Sequence, residues 1–115
     1  MSVEILLSED AVSDLANIGD YIGFQLNSPQ AAKNTIASLI GAIQILGVFP
    51  ESGASVLSPD NTYATPFRVL VYEKRYAISY LYEKDSQRVW VYRVFHTLQD
   101  WLAFLLKRAA DTNDE

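Results

Sequence analysis

Apolar residues from Val3 to Leu7 form a short run closed by Ser8, the pattern of an opening strand. Ser8 is placed to N-cap a helix whose first turn carries Glu9 and Asp10, two negative charges at the positive end of the helix dipole. Ala11, Leu15, Ile18, Ile22 and Leu26 then recur at steps of four, three, four and four, which puts them on one helical face. Asp14, Asn17 and Gln25 fall off that face, so the spacing predicts an amphipathic, half-solvated helix. Asn27-Ser28-Pro29 is a restart signal, with Ser28 as cap and Pro29 at the first helical position. The second helix runs to about Leu46 and is ended by Gly47 and Pro50. Its second half, with Ile36, Leu39, Ile40, Ile43, Ile45 and Leu46, is apolar on more than one side, which predicts cover from two directions, between the first helix and a sheet.

Residues 50–66 are rich in turn formers and contain no Lys or Arg, and they read as a loop. Three strand patterns come next, Phe67–Tyr72, Arg75–Tyr82 and Arg88–Phe95, separated by Glu73-Lys74 and by the five residues 83–87, and they predict an antiparallel meander. Thr97–Arg108 reads as a final helix through Leu98, Trp101, Leu102 and Leu105, followed by a polar, frayed tail over 111–115. The order of elements is that of an α+β fold: an N-terminal strand, a helical hairpin packed on one face of an antiparallel sheet, and a C-terminal helix. The opposite sheet face is then open or covered by a partner. At 115 residues, with half of them apolar, the chain is one domain that needs no covalent staple.

Composition removes several chemistries. There is no cysteine and one histidine, His96, which excludes disulfide scaffolds, thiolate nucleophiles and Cys-ligated zinc, and leaves neither a metal nor a cofactor expected. The longest apolar stretch, Ile36 to Phe49, is interrupted by Ser38 and Gln44 and is too short to span a bilayer. No basic region precedes an apolar core at Met1-Ser2-Val3-Glu4, so the expected location is the cytoplasm, with no membrane partner. The net charge of −5 disfavours long-range attraction to phosphate backbones, yet it hides an asymmetry. Residues 1–57 hold one lysine against six carboxylates, whereas between Arg68 and Arg108 eight basic residues face four acidic ones, a local sum of +4.

Candidate chemistry concentrates in the C-terminal half. Eleven of the fourteen aromatic residues lie between Tyr63 and Phe104, more than one sheet face can conceal, and an aromatic and arginine mixture on an open face is the composition of a binding surface. Tyr76, Tyr82, Trp90 and Tyr92 are the candidate partner-binding residues. Arg68 and Arg93 sit inside strands, where an arginine either pairs with a carboxylate, snorkels, or points into a shallow functional face. His96 closes the last strand, with Asp100 four residues on and able to orient an imidazole, although a strand-end histidine also serves structure alone. Tyr76, Ile78, Tyr80 and Tyr82 share one strand face. Cleavage of a phosphodiester requires a base, a cation for the developing charge and an acid for the leaving oxygen, parts that Arg68, Arg93, His96 and Tyr80 supply if they converge. No Gly-rich phosphate loop, Gly-x-Ser-x-Gly elbow or paired-carboxylate motif is present.

From Ile5 to about Leu105 the chain resembles the RelE/ParE superfamily of toxins from bacterial type II toxin–antitoxin systems. The resemblance is carried by Leu7-Ser8-Glu9-Asp10-Ala11 with Asp14-Leu15, Ile18 and Tyr21-Ile22, by Pro29-Gln30-Ala31-Ala32, and by the Phe49-Pro50-Glu51-Ser52-Gly53 turn. It continues through Phe67-Arg68-Val69-Leu70-Val71, Tyr76-Ala77-Ile78-Ser79-Tyr80, and Arg93-Val94-Phe95-His96 with Asp100-Trp101. It implies a RelE/ParE-like α+β toxin that inhibits growth, contributes to plasmid stabilisation and is neutralised by a cognate antitoxin protein wrapped around it. One branch cleaves mRNA on the ribosome; another inhibits DNA gyrase without hydrolytic chemistry of its own. In the nuclease reading Arg68 binds phosphate, Arg93 stabilises charge and His96 is the acid or base; in the other reading the same residues belong to a recognition surface. RelE-like nucleases carry lysines around the connection from the second helix to the sheet, the segment that lacks them here, and the Arg-Val-Phe-His ending resembles the ParE-like side. A ParE-like toxin is the favoured expectation, with a ribosome-dependent endonuclease, and a degenerate toxin acting only as an antitoxin-binding module, as alternatives.

Overall fold

The computed structural model describes residues 3–113. The chain runs β1 (Glu4–Leu7), α1 (Glu9–Asp20), α2 (Pro29–Ile45), β2 (Ala54–Leu57), β3 (Ala64–Tyr72), β4 (Tyr76–Glu83), β5 (Arg88–His96) and α3 (Trp101–Asn113). The sheet order is β1-β5-β4-β3-β2, with β1 parallel to β5 and the other neighbours antiparallel. The expected α+β architecture is thus present. Two differences in the elements have physical causes. Residues 54–57, expected as loop, pair with β3 as an edge strand; at four residues the segment is too short for alternation to stand out from its turn-forming surroundings. The last helix starts at Trp101 rather than Thr97, because residues 97–99 form a turn closed by Gln99 N–H donating to His96 O, and Asp100 caps the helix by accepting from Ala103 N–H at 3.3 Å. That helix also continues through 111–113, which were expected to fray, while Asp114 and Glu115 of the expected tail lie outside the described residues, as do Met1 and Ser2.

Ser8 caps α1 as the sequence implies, its hydroxyl accepting from Ala11 N–H at 3.0 Å. Beyond Asp20 the chain makes a π-helical turn, Tyr21–Gln25, in which Leu26 N–H donates to Tyr21 O. One extra residue in the turn rotates the residues beyond it by roughly a quarter turn of helix. Ala11, Leu15, Ile18 and Ile22 therefore stay on the packed face, but Leu26, expected to continue it, is 57% exposed.

Two cores flank the sheet. On one side α1 and α2 lie against it, with Leu39, Leu46, Ile78, Tyr80, Val89 and Val91 fully buried. Removing side chains of this size from water contributes about 1.5–3 kcal/mol each. The apolar second half of α2 is covered from one direction only: Leu39, Ile43 and Leu46 face the core, while Ile40 and Ile45 are exposed, because both helices belong to one layer. On the other side α3 lies across the sheet, burying Leu105 and Ala109 against Val56, Phe67, Val69, Ala77 and Phe95. The expectation of an open second face is therefore corrected. The face is covered in large part by the chain's own last helix, with the half-buried Trp101 packed against the cluster and Val71 left exposed beside it.

The sheet contains one irregularity that matters for the site. Ser79 stands opposite Arg93 but Tyr80 stands opposite Val91, so Tyr92 is an extra residue in β5. At this β-bulge one side chain binds both the N–H and the C=O of Arg93. The fully buried Ser79 hydroxyl makes both bonds, donating to Arg93 O at 3.0 Å and accepting from Arg93 N–H at 3.1 Å. Ser79→Ala keeps the volume and removes both bonds, and it is expected to lower unfolding stability by about 1–3 kcal/mol in a urea titration; an unchanged midpoint would show that the bulge is satisfied by other means.

Candidate functional site

The four residues assembled on sequence grounds for phosphodiester chemistry, Arg68, Tyr80, Arg93 and His96, fall into two separate groups. Arg68 and Tyr80 are directly opposite each other on β3 and β4. Both reach the turn that comes after α2. Arg68 Nη1 donates to Gly53 O at 2.7 Å and to Glu51 O at 3.3 Å. The Tyr80 hydroxyl donates to Pro50 O at 2.8 Å and accepts from Gly53 N–H at 2.9 Å. Tyr80 is fully buried, and a Cβ on Gly53 would stand 2.7 Å from its ring and hydroxyl, so the absence of a side chain there is what lets the turn close over the phenol. Burial pushes the Tyr80 phenol above its ordinary pKa, with the Gly53 N–H and the Arg68 charge opposing. Tyr80 is a pin between sheet and turn, and its hydroxyl has both partners inside the chain.

Arg93 and His96 lie on β5, where β1 no longer covers the strand edge: pairing with β1 ends at Val91. Helix α1 covers the remainder. The Ser8 hydroxyl donates to Tyr92 O at 2.6 Å, and Asp14 Oδ2 accepts from Val94 N–H at 2.9 Å. The same carboxylate takes Arg93 in a bidentate pair, Nε to Oδ2 at 2.7 Å and Nη2 to Oδ1 at 2.9 Å. Asp14 thus corrects the expectation that it faces solvent; its side chain is 12% accessible. Hydrogen bonding to Asp14 raises the Arg93 pKa above its ordinary value, against the effect of burial. The guanidinium also lies 5.2 Å from the ring centres of both Phe95 and Phe104, because the bulge turns Arg93 toward α3.

His96 is exposed and edge-on to Tyr76 at 5.6 Å. Its Nδ1 accepts from Leu98 N–H at 3.1 Å, so the neutral ring carries its proton on Nε2 and presents a donor outward. Asp100, expected to orient this ring, instead caps α3. Gln99 Oε1 accepts from His96 N–H at 2.9 Å. Between α1 and this end of the sheet lies a cleft of about 480 Å³ lined in part by Asn17, Tyr21, Tyr76, Arg93, His96 and Gln99. Asn17, Tyr21 and Gln99 were not among the candidate site residues, since nothing in their spacing ties α1 to the turn after β5.

The expected partner-binding aromatics are dispersed. Tyr76 is 9% exposed and Tyr82 is half-buried, both against the α1/α2 side. Tyr92 packs between Phe67 and Phe104, with ring centres 5.2 and 6.4 Å away, and Arg108 lies 6.0 Å from it. Trp90 is 37% exposed and its indole N–H donates to Glu83 Oε1 at 2.8 Å. Among the described residues no cluster of three His, Asp or Glu side chains is arranged to hold a metal ion, and no helix is long and apolar enough to cross a membrane.

A five-stranded sheet with one parallel edge strand, a helical hairpin on one face and a terminal helix on the other is a fold shared with two solved structures. The structure is similar to a chain of the chromosomal ParDE toxin–antitoxin system from P. aeruginosa, with a TM-score of 0.65, 17% identity, and coverage of 83% of this chain and 96% of that one. It is also similar to a chain of the RelBE2 toxin–antitoxin complex from Mycobacterium tuberculosis, with a TM-score of 0.61, 14% identity, and coverage of 84% and 92%. No curated protein matches by sequence. Residues 5–101 match the family model of the ParE toxin of type II toxin–antitoxin systems, and the chain belongs to that family.

Removing either partner of the Asp14–Arg93 pair strands a charge, and Asp14→Ala also strands Val94 N–H. A cost of about 2 kcal/mol is expected for each single change, below the 3–5 of a fully buried pair because Arg93 keeps 24% of its side chain accessible. In a double-mutant cycle the combined variant should lose less than the sum; strict additivity would show the pair to be uncoupled. A second test uses pH. Tyr76 and Tyr80 have folded pKa values raised by burial, so they hold their protons where the unfolded chain begins to lose them, near 10. Their stabilising effect is therefore full below pH 10 and is lost as pH rises through the folded values. A spectrophotometric titration should show tyrosines ionising above the ordinary range, a fraction that Tyr80→Phe reduces.

Proposed function

We propose that this ParE-family toxin inhibits growth by occupying DNA gyrase rather than by cutting RNA, and that a cognate antitoxin neutralises it. The observation that carries this reading is the separation of Arg68 and Tyr80 from Arg93 and His96. Catalysis of RNA cleavage requires a base, a cation and an acid within reach of one phosphate. Here Arg68 and Tyr80 serve the Pro50–Gly53 turn, and Arg93 is neutralised by Asp14. The His96 nitrogen suited to act as a base accepts a backbone N–H instead. Residues 50–66, beside the Arg68 group, hold no Lys or Arg to attract an RNA backbone. In this reading Arg93 and His96 are contact and positioning residues of a recognition surface.

An antitoxin partner is supported by the family and by the two structural neighbours, both of which come from toxin–antitoxin systems. The ribosome-dependent endonuclease is the second reading, favoured by one feature: Lys74 and Arg75 precede Tyr76 in the turn whose carbonyls bind Thr97, so two cations lie near His96.

Induced expression in a bacterial host, with and without the neighbouring open reading frame, separates the two. Growth arrest with altered plasmid supercoiling and intact mRNA is expected, relieved by co-expression of the neighbour. New codon-positioned mRNA ends within minutes would overturn the gyrase reading, and loss of those ends in His96→Ala would then identify a nuclease site.

A further inference from the structure

The cleft between α1 and the end of β5 holds more hydrogen-bond donors than the fold uses. Tyr76 is 9% exposed, yet among the described residues its hydroxyl has no hydrogen-bond partner. No buried side-chain oxygen or nitrogen lacks a partner, so this hydroxyl is not sealed away and is reached from outside the core. A phenol enclosed on nearly every side and open at its polar tip is an unmet valence facing a cavity. Around it the other free groups are mainly donors. His96 presents Nε2–H, since Nδ1 is taken by Leu98 N–H. Gln99 has its oxygen engaged by His96 N–H, which leaves its amide N–H groups to the cleft. Arg93 uses Nε and Nη2 on Asp14 and retains Nη1.

The remaining acceptors, the Asn17 amide oxygen and the Tyr21 hydroxyl, each come with a donor of their own. Asp14 is engaged through both oxygens, by Arg93 and by Val94 N–H. The lining therefore has a neutralised ion pair and surplus donors. We infer that this cleft is a recognition pocket for a single carboxylate, the side chain of an aspartate or glutamate on a partner protein, with the Tyr76 hydroxyl, His96 Nε2–H and the Gln99 amide as its donors.

A phosphodiester fits less well. Its charge repeats along the chain, and α1 displays exposed Asp10 and Asp20 on a protein of net charge −5. A carboxylate is one planar anion with several acceptor positions, matching donors that approach from the strand, the turn and the sheet edge. That the carboxylate belongs to a protein rests on the proposed toxin function; the pocket itself is tested without reference to any target.

His96 is the single histidine, so its ring gives one unambiguous set of resonances to follow by NMR. The full-length protein is titrated at constant ionic strength with N-acetylglutamate amide, with its neutral isostere N-acetylglutamine amide, and with inorganic phosphate. The carboxylate should shift the His96 ring and the Gln99 side-chain amide saturably, in the millimolar range, while the Trp90 indole resonance stays still. The isostere should not bind, and phosphate should bind more weakly. Tyr76→Phe retains the buried ring and removes only the hydroxyl; it should weaken carboxylate binding about tenfold, the scale of one hydrogen bond to a charged group. Gln99→Ala alters an exposed residue and should weaken it without disturbing the core. Binding of the isostere as tight as the carboxylate, tighter binding of phosphate, or unchanged affinity in both variants would each overturn the inference. Because these probes contain neither gyrase nor RNA, a negative result here leaves the cellular assay of function unaffected, and the reverse also holds.

Discussion

The structure depends on how helix α1 closes the part of β5 that β1 leaves bare. A strand edge presents backbone donors and acceptors at every second residue, and in an apolar setting each unpaired group costs about 1–3 kcal/mol. Strand β1 has four residues and runs out at Val91. Two side chains from the start of α1 complete the edge: Ser8, which also caps the helix, and Asp14, which binds Val94 N–H. Asp14 placed there without a cation would be a carboxylate withdrawn from water. Arg93 is the counter-charge, and its position is set by the extra residue Tyr92, which turns the arginine toward Phe95 and Phe104 while leaving it within reach of α1. Ser79 then satisfies the backbone of Arg93. Helix cap, edge closure, ion pair, bulge and the seat of α3 are in this way one connected set of contacts.

A similar economy appears at the other end of the sheet. Helix α2 has to hand the chain to an edge strand without leaving the turn between them unsupported. Tyr80 supplies a donor and an acceptor to Pro50 and Gly53 from inside the core, and Arg68 adds a donor to Gly53 O from the neighbouring strand. Gly53 is the position at which this closure is possible, since any side chain would collide with the phenol and with Val69 O. The residues with the most conspicuous chemistry in the sequence are therefore, at this end, the ones that hold it together.

The contrast between legible and hidden features of this chain reflects the range of each signal. Element type and order were readable because hydrophobic period, the Ser8 cap and the Ser28-Pro29 restart are local, and the RelE/ParE resemblance agrees with the family to which the chain belongs. The π-helical turn was not readable, since inserting one residue into a helix leaves every local preference intact while moving Leu26 off its face. Strand β2 was hidden because four residues among turn formers carry no decisive alternation, and its pairing is decided by β3. The site was legible as a set of residue types and illegible as a geometry. Arg93 was marked as an arginine needing a carboxylate or a function, but its partner lies 79 residues away in sequence, and no periodicity reports such a pair. For His96 the nearest acidic residue in sequence, Asp100, suggested a partner; a tight turn instead delivers the Leu98 N–H.

These placements bear on what kind of toxin the fold can support. Catalytic cations and bases are effective when their valences point at a substrate and are kept free for it, at some cost to stability. In this chain Arg68, Tyr80 and Arg93 have their strongest bonds directed inward, where removing them costs stability first. The groups left facing outward are gentler: an imidazole N–H, an amide, a phenol and the paired arginine's last nitrogen around one cleft. Such groups suit the recognition role proposed above, in which partners are discriminated by geometry and hydrogen bonding. A recognition surface assembled this way tolerates a negative overall charge, because the local pair Asp14–Arg93 is already balanced and the cleft offers dipoles in place of net positive potential. On the proposed reading, an acidic protein of this kind would bind an acidic side chain at this site while repelling a nucleic-acid backbone, the combination that a protein-directed toxin requires.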